Sequence, residues 1–214
     1  MSNNTPPVVV EKALRQLAKQ TRAAAAKFAD VARNFTAWSL SIDPAMQACA
    51  DLLQAPSNTS CLDISDALGD FRSMIMACNE WSARVASPLK SLESNIHVAL
   101  RDTNPEFDVA ALAGILEALT DMPPLLFVPS QPQAPSLAVL PRTSVGLTDA
   151  VSGIAVLFTR RSFVAEDLAK LLDDRAARTR RRTITVGAAD IAALVQAGKK
   201  LPAFNPPELF RKEQ

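Results

Sequence analysis

The chain has 214 residues, 48% hydrophobic and 21% charged, a globular mix that can build a core and excludes disorder throughout. Its 23 Lys+Arg and 22 Asp+Glu leave a net charge of +1, which excludes a generalised polyanion-binding surface and leaves nucleic-acid binding only to a local basic patch. With 6 Gly, no Tyr and abundant Ala, the composition favours helix over sheet.

After a short polar, Pro-containing tail, a first helix is predicted from near Val8. Val10, Leu14, Leu17, Thr21, Ala24, Phe28, Val31, Phe35, Trp38 and Ile42 alternate four and three apart. Such a seam, held for more than four heptads, belongs to a helix packed at a shallow angle along its length. Its opposite face (Lys12, Arg15, Lys19, Arg22, Lys27, Asp30, Arg33) is mostly basic and is read as solvated. Asp43-Pro44 has the form of an N-cap followed by proline at the first helical position. A break and a short new helix through about Leu53 are therefore expected, then a loop over 54–61.

A second long helix is expected from near Asp63, with the seam Ile64, Leu68, Phe71, Ile75, Cys78, Ser82, Val85, Leu89, Leu92, Ile96 and Ala99. Met74, Trp81 and Leu100 widen its stripe. Pro88 predicts a kink or a break, and the unbroken phase across it favours a kink. A shorter helix is predicted over 105–121. Prolines at 123, 124, 129, 132, 135 and 141 then imply a Pro-rich extended connector over 122–143, either laid over the helices or mobile. The last long helix is expected from Ser144, with Leu147, Val151, Ile154, Phe158, Arg161, Ala165, Leu168 and Leu172 as its seam. Residues 183–186 alternate like a short strand. A final helix over 188–198 is expected to end with Gly198 as its C-terminal cap, followed by a Pro-rich tail from Pro202.

The fold expected is all-α: an elongated bundle of long heptad-patterned helices. It comprises an N-terminal helical part (1–121), the connector (122–143) and C-terminal helices (144–214) that complete the bundle. Intrachain antiparallel packing and a self-associating coiled coil satisfy the same seams.

Little in the sequence points to chemistry. His97 is the single histidine and lies beside a helical seam, as a partly exposed helix residue would. No compact His/Cys spacing suits zinc, no Gly-rich phosphate loop is present, and the adjacent acids Glu166-Asp167 and Asp173-Asp174 diverge around a helix. No catalytic residue, metal or cofactor is expected. Cys49, Cys61 and Cys78 have no Cys-x-x-Cys spacing and are read as reduced thiols. With no apolar leader over the first residues and no uncharged run near the ~18 residues of a membrane span, a cytoplasmic setting is the expectation. The basic face of the first helix could meet an anionic membrane, but its core-facing stripe and the balancing acids argue against that.

The most suggestive feature is arginine. Arg175, Arg178, Arg180, Arg181 and Arg182 fall close together, and Arg160 and Arg161 precede Phe163. Close-set arginines neutralise phosphates; the same residues can also compensate a helix C-terminus. The helix at 188–198 has a slight helix-turn-helix character, but Pro202 and Pro206-Pro207 occupy the place of a recognition helix. The segment Phe158-Thr159-Arg160-Arg161-Ser162-Phe163 resembles a motif in the coat proteins of rod-shaped plant RNA viruses. There an arginine-containing segment with a phenylalanine, usually followed by glutamate, sits near the end of a four-helix core; here Val164 takes the glutamate position. The resemblance implies helical self-assembly around nucleic acid, with Arg160 and Arg161 as the positions to test. Two functions are thus expected. The first is a non-enzymatic structural or interaction protein that self-associates and presents protein-binding surfaces. The alternative is a nucleic-acid packaging protein using Arg160, Arg161, Arg175, Arg178, Arg180, Arg181 and Arg182.

Overall fold

A computed structural model describes residues 4–54, 59–102, 108–123, 125, 139–181 and 186–201, with backbone only at 4, 52, 53, 59–67, 180 and 181. Of this, 92% is helical. Three long helices, α1 (Pro7–Gln54), α2 (Thr59–Arg101) and α4 (Leu140–Arg181), are joined by two helices of 12 residues each, α3 (Val109–Thr120) and α5 (Ala188–Lys199). Two-residue strands β1 (Asn4–Thr5) and β2 (Val186–Gly187) pair antiparallel, with Asn4 opposite Gly187 and Thr5 opposite Val186. The chain is all-α, as its composition and seams predict.

Several expected boundaries are corrected. Asp43-Pro44 does not interrupt α1. Pro44 lies on the exposed side, and Leu40, whose carbonyl it leaves without its usual helical donor, is itself exposed, while Ile42 and Met46 are both buried and keep the seam in phase. Pro88, also exposed, lies within an unbroken α2. That helix begins at Thr59, four residues before Asp63; the rest of the expected loop, 55–58, lies outside the described residues. Helix α3 starts at Val109, where Asp108 caps it: Oδ1 accepts from the Ala110 and Ala111 amides at 2.8 and 3.2 Å.

Helix α4 starts at Leu140, inside the expected connector, because Pro141 falls in the first turn, where no amide donor is needed. Most of the connector (124 and 126–138) lies outside the described residues, as do 183–185 of the expected strand and the tail from Pro202. Gly198 is no C-terminal cap. Helix α5 runs past it to Lys199, no described glycine has positive φ, and a Cβ at Gly198 would stand 2.0 Å from Leu17 Cδ2. Gly198 is there to let α5 approach α1 closely.

Contacts divide the chain into two compact units. Unit 1 draws on Met1–Ala29, Ala86–Met122 and Thr159–Pro206; the described part of unit 2 draws on Asp30–Val85 and Pro123–Phe158. The boundary falls within each long helix, so neither unit coincides with residues 1–121 or 144–214. In unit 1 the seams bury Val10, Leu14 and Leu17 of α1, Leu92 and Ile96 of α2, and Leu168 and Leu172 of α4. Here α3 and α5 pack on each other, burying Leu112, Leu116, Ile191 and Leu194. Thr21, the one polar seam residue of α1, is fully buried and donates to the Leu17 carbonyl at 2.8 Å.

In unit 2, Phe158 of α4 stacks between Phe35 of α1 and Trp81 of α2, with centroids at 5.9 and 5.5 Å. Trp81 Nε1 donates to the Pro123 carbonyl at 2.8 Å. The α2 seam is weakest at Ser82, whose buried hydroxyl has no hydrogen-bond partner.

Candidate nucleic-acid interface

The structure separates the four candidates whose side chains are described, Arg160, Arg161, Arg175 and Arg178, by role. Arg161 is a seam position of α4 and is 4% exposed. Its Nε donates to the Leu119 carbonyl at 2.8 Å, and one terminal nitrogen donates to Ala118 at 3.0 Å and Asp121 at 2.8 Å. These are carbonyls at the C-terminal end of α3, which have no partner inside that helix. The guanidinium lies 5.7 Å from the ring centroid of Phe28. Burial pulls its pKa down to about 10, and the Asp121 carboxylate partly opposes this.

Arg175 repeats the arrangement at the end of α2. The α4 seam continues from Leu172 to Arg175 and Thr179, which are 2% and 0% exposed. Arg175 donates to Ala99 at 2.8 Å and to Asp102 at 3.4 Å, and Arg178 adds a bond of 3.0 Å to the same Asp102 carbonyl. Burial lowers the Arg175 pKa, Arg178 lowers it further, and Asp174 and Asp102 oppose both. Two arginines of the long helix therefore close the C-termini of two other helices, where a cation also meets the helix dipole favourably.

Of the other candidates, Arg160 and Arg178 are half-buried and paired with carboxylates. Arg160 donates to Glu93 Oε2 at 2.6 Å, and Arg178 Nε pairs with Asp174 at 2.9 Å. Arg180 and Arg181 end α4, their side chains outside the described set, and Arg182 lies outside the described residues. The structure brings Arg175 and Arg178 together on one carbonyl. Arg160 and Arg161 lie some 15 residues earlier, roughly 22 Å along the helix. The phase of the seam is the sequence feature that distinguishes Arg161 and Arg175 from their half-buried neighbours.

Elsewhere in unit 1, His97 is 52% exposed at its side chain and lies 3.6 Å from Asp167, which also accepts from Lys170 at 2.8 Å. No group of three or more metal-ligating side chains occurs among the described residues, and no described helix is long and apolar enough to cross a membrane. In unit 2, a hollow of about 270 Å³ is lined by Met46, Ala50, Leu140 and Ser144, with Asp43 accepting from the Ser144 hydroxyl. Comparison with protein-family models, with curated proteins and with solved structures finds no match to this chain.

Proposed function

We propose that this chain is a non-enzymatic helical-bundle protein that acts by presenting protein-binding surfaces, first to further copies of itself. The observation that carries this reading is the outer face of the packed α3–α5 pair. Ala110, Ala111, Gly114 and Ala118 of α3 and Ala188, Ala189, Ala192, Ala193 and Val195 of α5 are all exposed. The only charges within these helices are Glu117, bound by Lys200 at 3.4 Å, and Asp190 and Lys199 near the ends of α5. A smooth, nearly uncharged face of this kind is suited to contact with protein. The described thiols Cys49 and Cys78 are unpaired, in keeping with a reducing, cytoplasmic setting.

The test is light scattering across a size-exclusion peak, with absorbance at the nucleic-acid and protein maxima. The wild type is expected to run as a concentration-dependent oligomer, and Ala111→Glu with Ala193→Glu as a smaller species. A wild type that stays monomeric as concentration rises overturns the reading. The alternative, nucleic-acid packaging through the arginines at 160–182, is favoured by the run of arginines at the end of α4. It calls for nucleic acid co-eluting with the protein and lost on charge reversal at Arg180 to Arg182.

A further inference from the structure

We infer that the outer face of α1 from Lys12 to Arg22 binds the phosphate backbone of single-stranded nucleic acid. This surface is distinct from the arginines of α4 and does not depend on self-association. Lys12, Arg15, Lys19 and Arg22 are spaced three, four and three residues apart, on the side of α1 away from the buried Val10, Leu14, Leu17 and Thr21, with Arg22 toward its flank, and all four are exposed. They form one straight row of cations about 15 Å long.

What sets the row apart is that two of its four cations have no neutralising partner among the described residues and the other two are held only by exposed pairs. On α4, Arg160, Lys170 and Arg178 are each matched by a carboxylate: Glu93, Asp167 and Asp174. On α1, Lys12 and Lys19 make no ion pair among the described residues. Arg15 holds Glu11 at 3.0 Å, the only acid on α1 before Asp30. Arg22 meets Asp173 at 2.5 Å, with both side chains more than a third exposed. Exposed pairs of this kind have little net value and can be exchanged for phosphate contacts.

The chemistry of the row selects its partner. No aromatic side chain stands on it to stack a base, and its exposed large apolar neighbours are Val8 and Val9 alone, one turn before Lys12, with Gln16, Ala23 and Ala26 along the rest, too little for a helix lying in a membrane surface. Binding is therefore electrostatic and independent of sequence. A flexible single strand can follow a straight row of four cations, whereas the phosphates of a duplex wind away from it.

The experiment is fluorescence anisotropy with a labelled oligouridylate of about 12 nucleotides, within the span such sites occupy, read across salt concentration. Four phosphate contacts predict a log–log salt slope of about −2.8, or about 50-fold weaker binding between roughly 50 and 200 mM salt. Lys12→Gln with Lys19→Gln is expected to halve the slope to about −1.4, or about 7-fold. Lys12→Arg with Lys19→Arg is expected to keep it, which shows that charge and not folding is being read. An unchanged slope in the double glutamine variant overturns the proposal. So does tighter binding of a duplex of equal length, binding to phosphatidylserine vesicles without binding to the oligonucleotide, or loss confined to Arg178→Gln with Arg180→Gln.

Discussion

Replacing Arg161 with methionine is expected to destabilise the protein by about 3 kcal/mol. Methionine keeps an apolar stem beside Phe28 and removes the guanidinium. Three carbonyls at the end of α3, those of Ala118, Leu119 and Asp121, then lose their donor. Hydrogen bonds from a charged group contribute about 1.5–3 kcal/mol each, roughly 4–9 kcal/mol together. Against them stands the cost of burying the cation. Lowering its pKa to about 10 corresponds to about 3 kcal/mol. The difference is centred near 3 kcal/mol, a fall in Tm of roughly 6–12 °C for a chain of this size. Urea and thermal unfolding of Arg161→Met and Arg161→Lys, followed by circular dichroism, measure it. Lysine should lie between methionine and the wild type, because one ammonium cannot span three carbonyls. Hydrogen exchange should quicken first at the C-terminal turn of α3. If Arg161→Met were as stable as the wild type within about 0.5 kcal/mol, or more stable, the bonds would not outweigh the burial and the capping argument would fail.

Two glycines should respond oppositely to alanine. Gly198→Ala must displace Leu17 and is expected to cost about 1–3 kcal/mol, whereas Gly114→Ala, with no atom within 4 Å of the new Cβ, should stabilise by up to about 1 kcal/mol; urea midpoints of the two variants decide both. Ser82→Ala removes a buried hydroxyl without a partner and is expected to raise stability by about 1 kcal/mol, so a loss of stability would reveal a bond to that oxygen. Burial pushes the Cys78 thiol from 9.0 up to about 11. The folded state then holds this proton longer than the unfolded state, so the stability it contributes is complete below pH 9 and lost as pH rises toward 11. Cys78→Ala should flatten alkaline unfolding over that window, and the native thiol should resist a disulfide reagent until the chain unfolds.

The long helices were legible because their apolar spacing never loses phase: of the ten seam positions of α1, all are buried except half-buried Trp38. The same phase, continued through Arg161 to Arg175 and Thr179, held the answer to which arginines are internal. Charge obscured it, since a guanidinium in a core is excluded by composition arguments until backbone carbonyls are found to receive it. Local punctuation misled at Asp43-Pro44, where tertiary burial on both sides of an exposed proline outweighs the cost of one missing bond. The pairing of Asn4–Thr5 with Val186–Gly187 joins residues far apart in sequence, and two polar residues carry no pattern that foretells it. The cations of α1 were visible from the start; that Lys12 and Lys19 make no ion pair among the described residues required the positions of the surrounding acids.

Because α1, α2 and α4 each supply residues to both units, the chain tolerates length change very unevenly. One residue inserted near Thr21 would turn the rest of that unit's part of α1 by about 100°, carrying Ala24 and Phe28 off the buried side while Leu14 and Leu17 stayed in place. Seven residues would nearly restore the angle, but would lengthen α1 by about 10 Å against two partners that had not grown. Insertions and deletions should therefore survive in the segments between helices. Within the long helices they should be tolerated only as matched heptads in all three, so the spacing of these helices acts as a ruler on which the protein can lengthen only in coordinated steps.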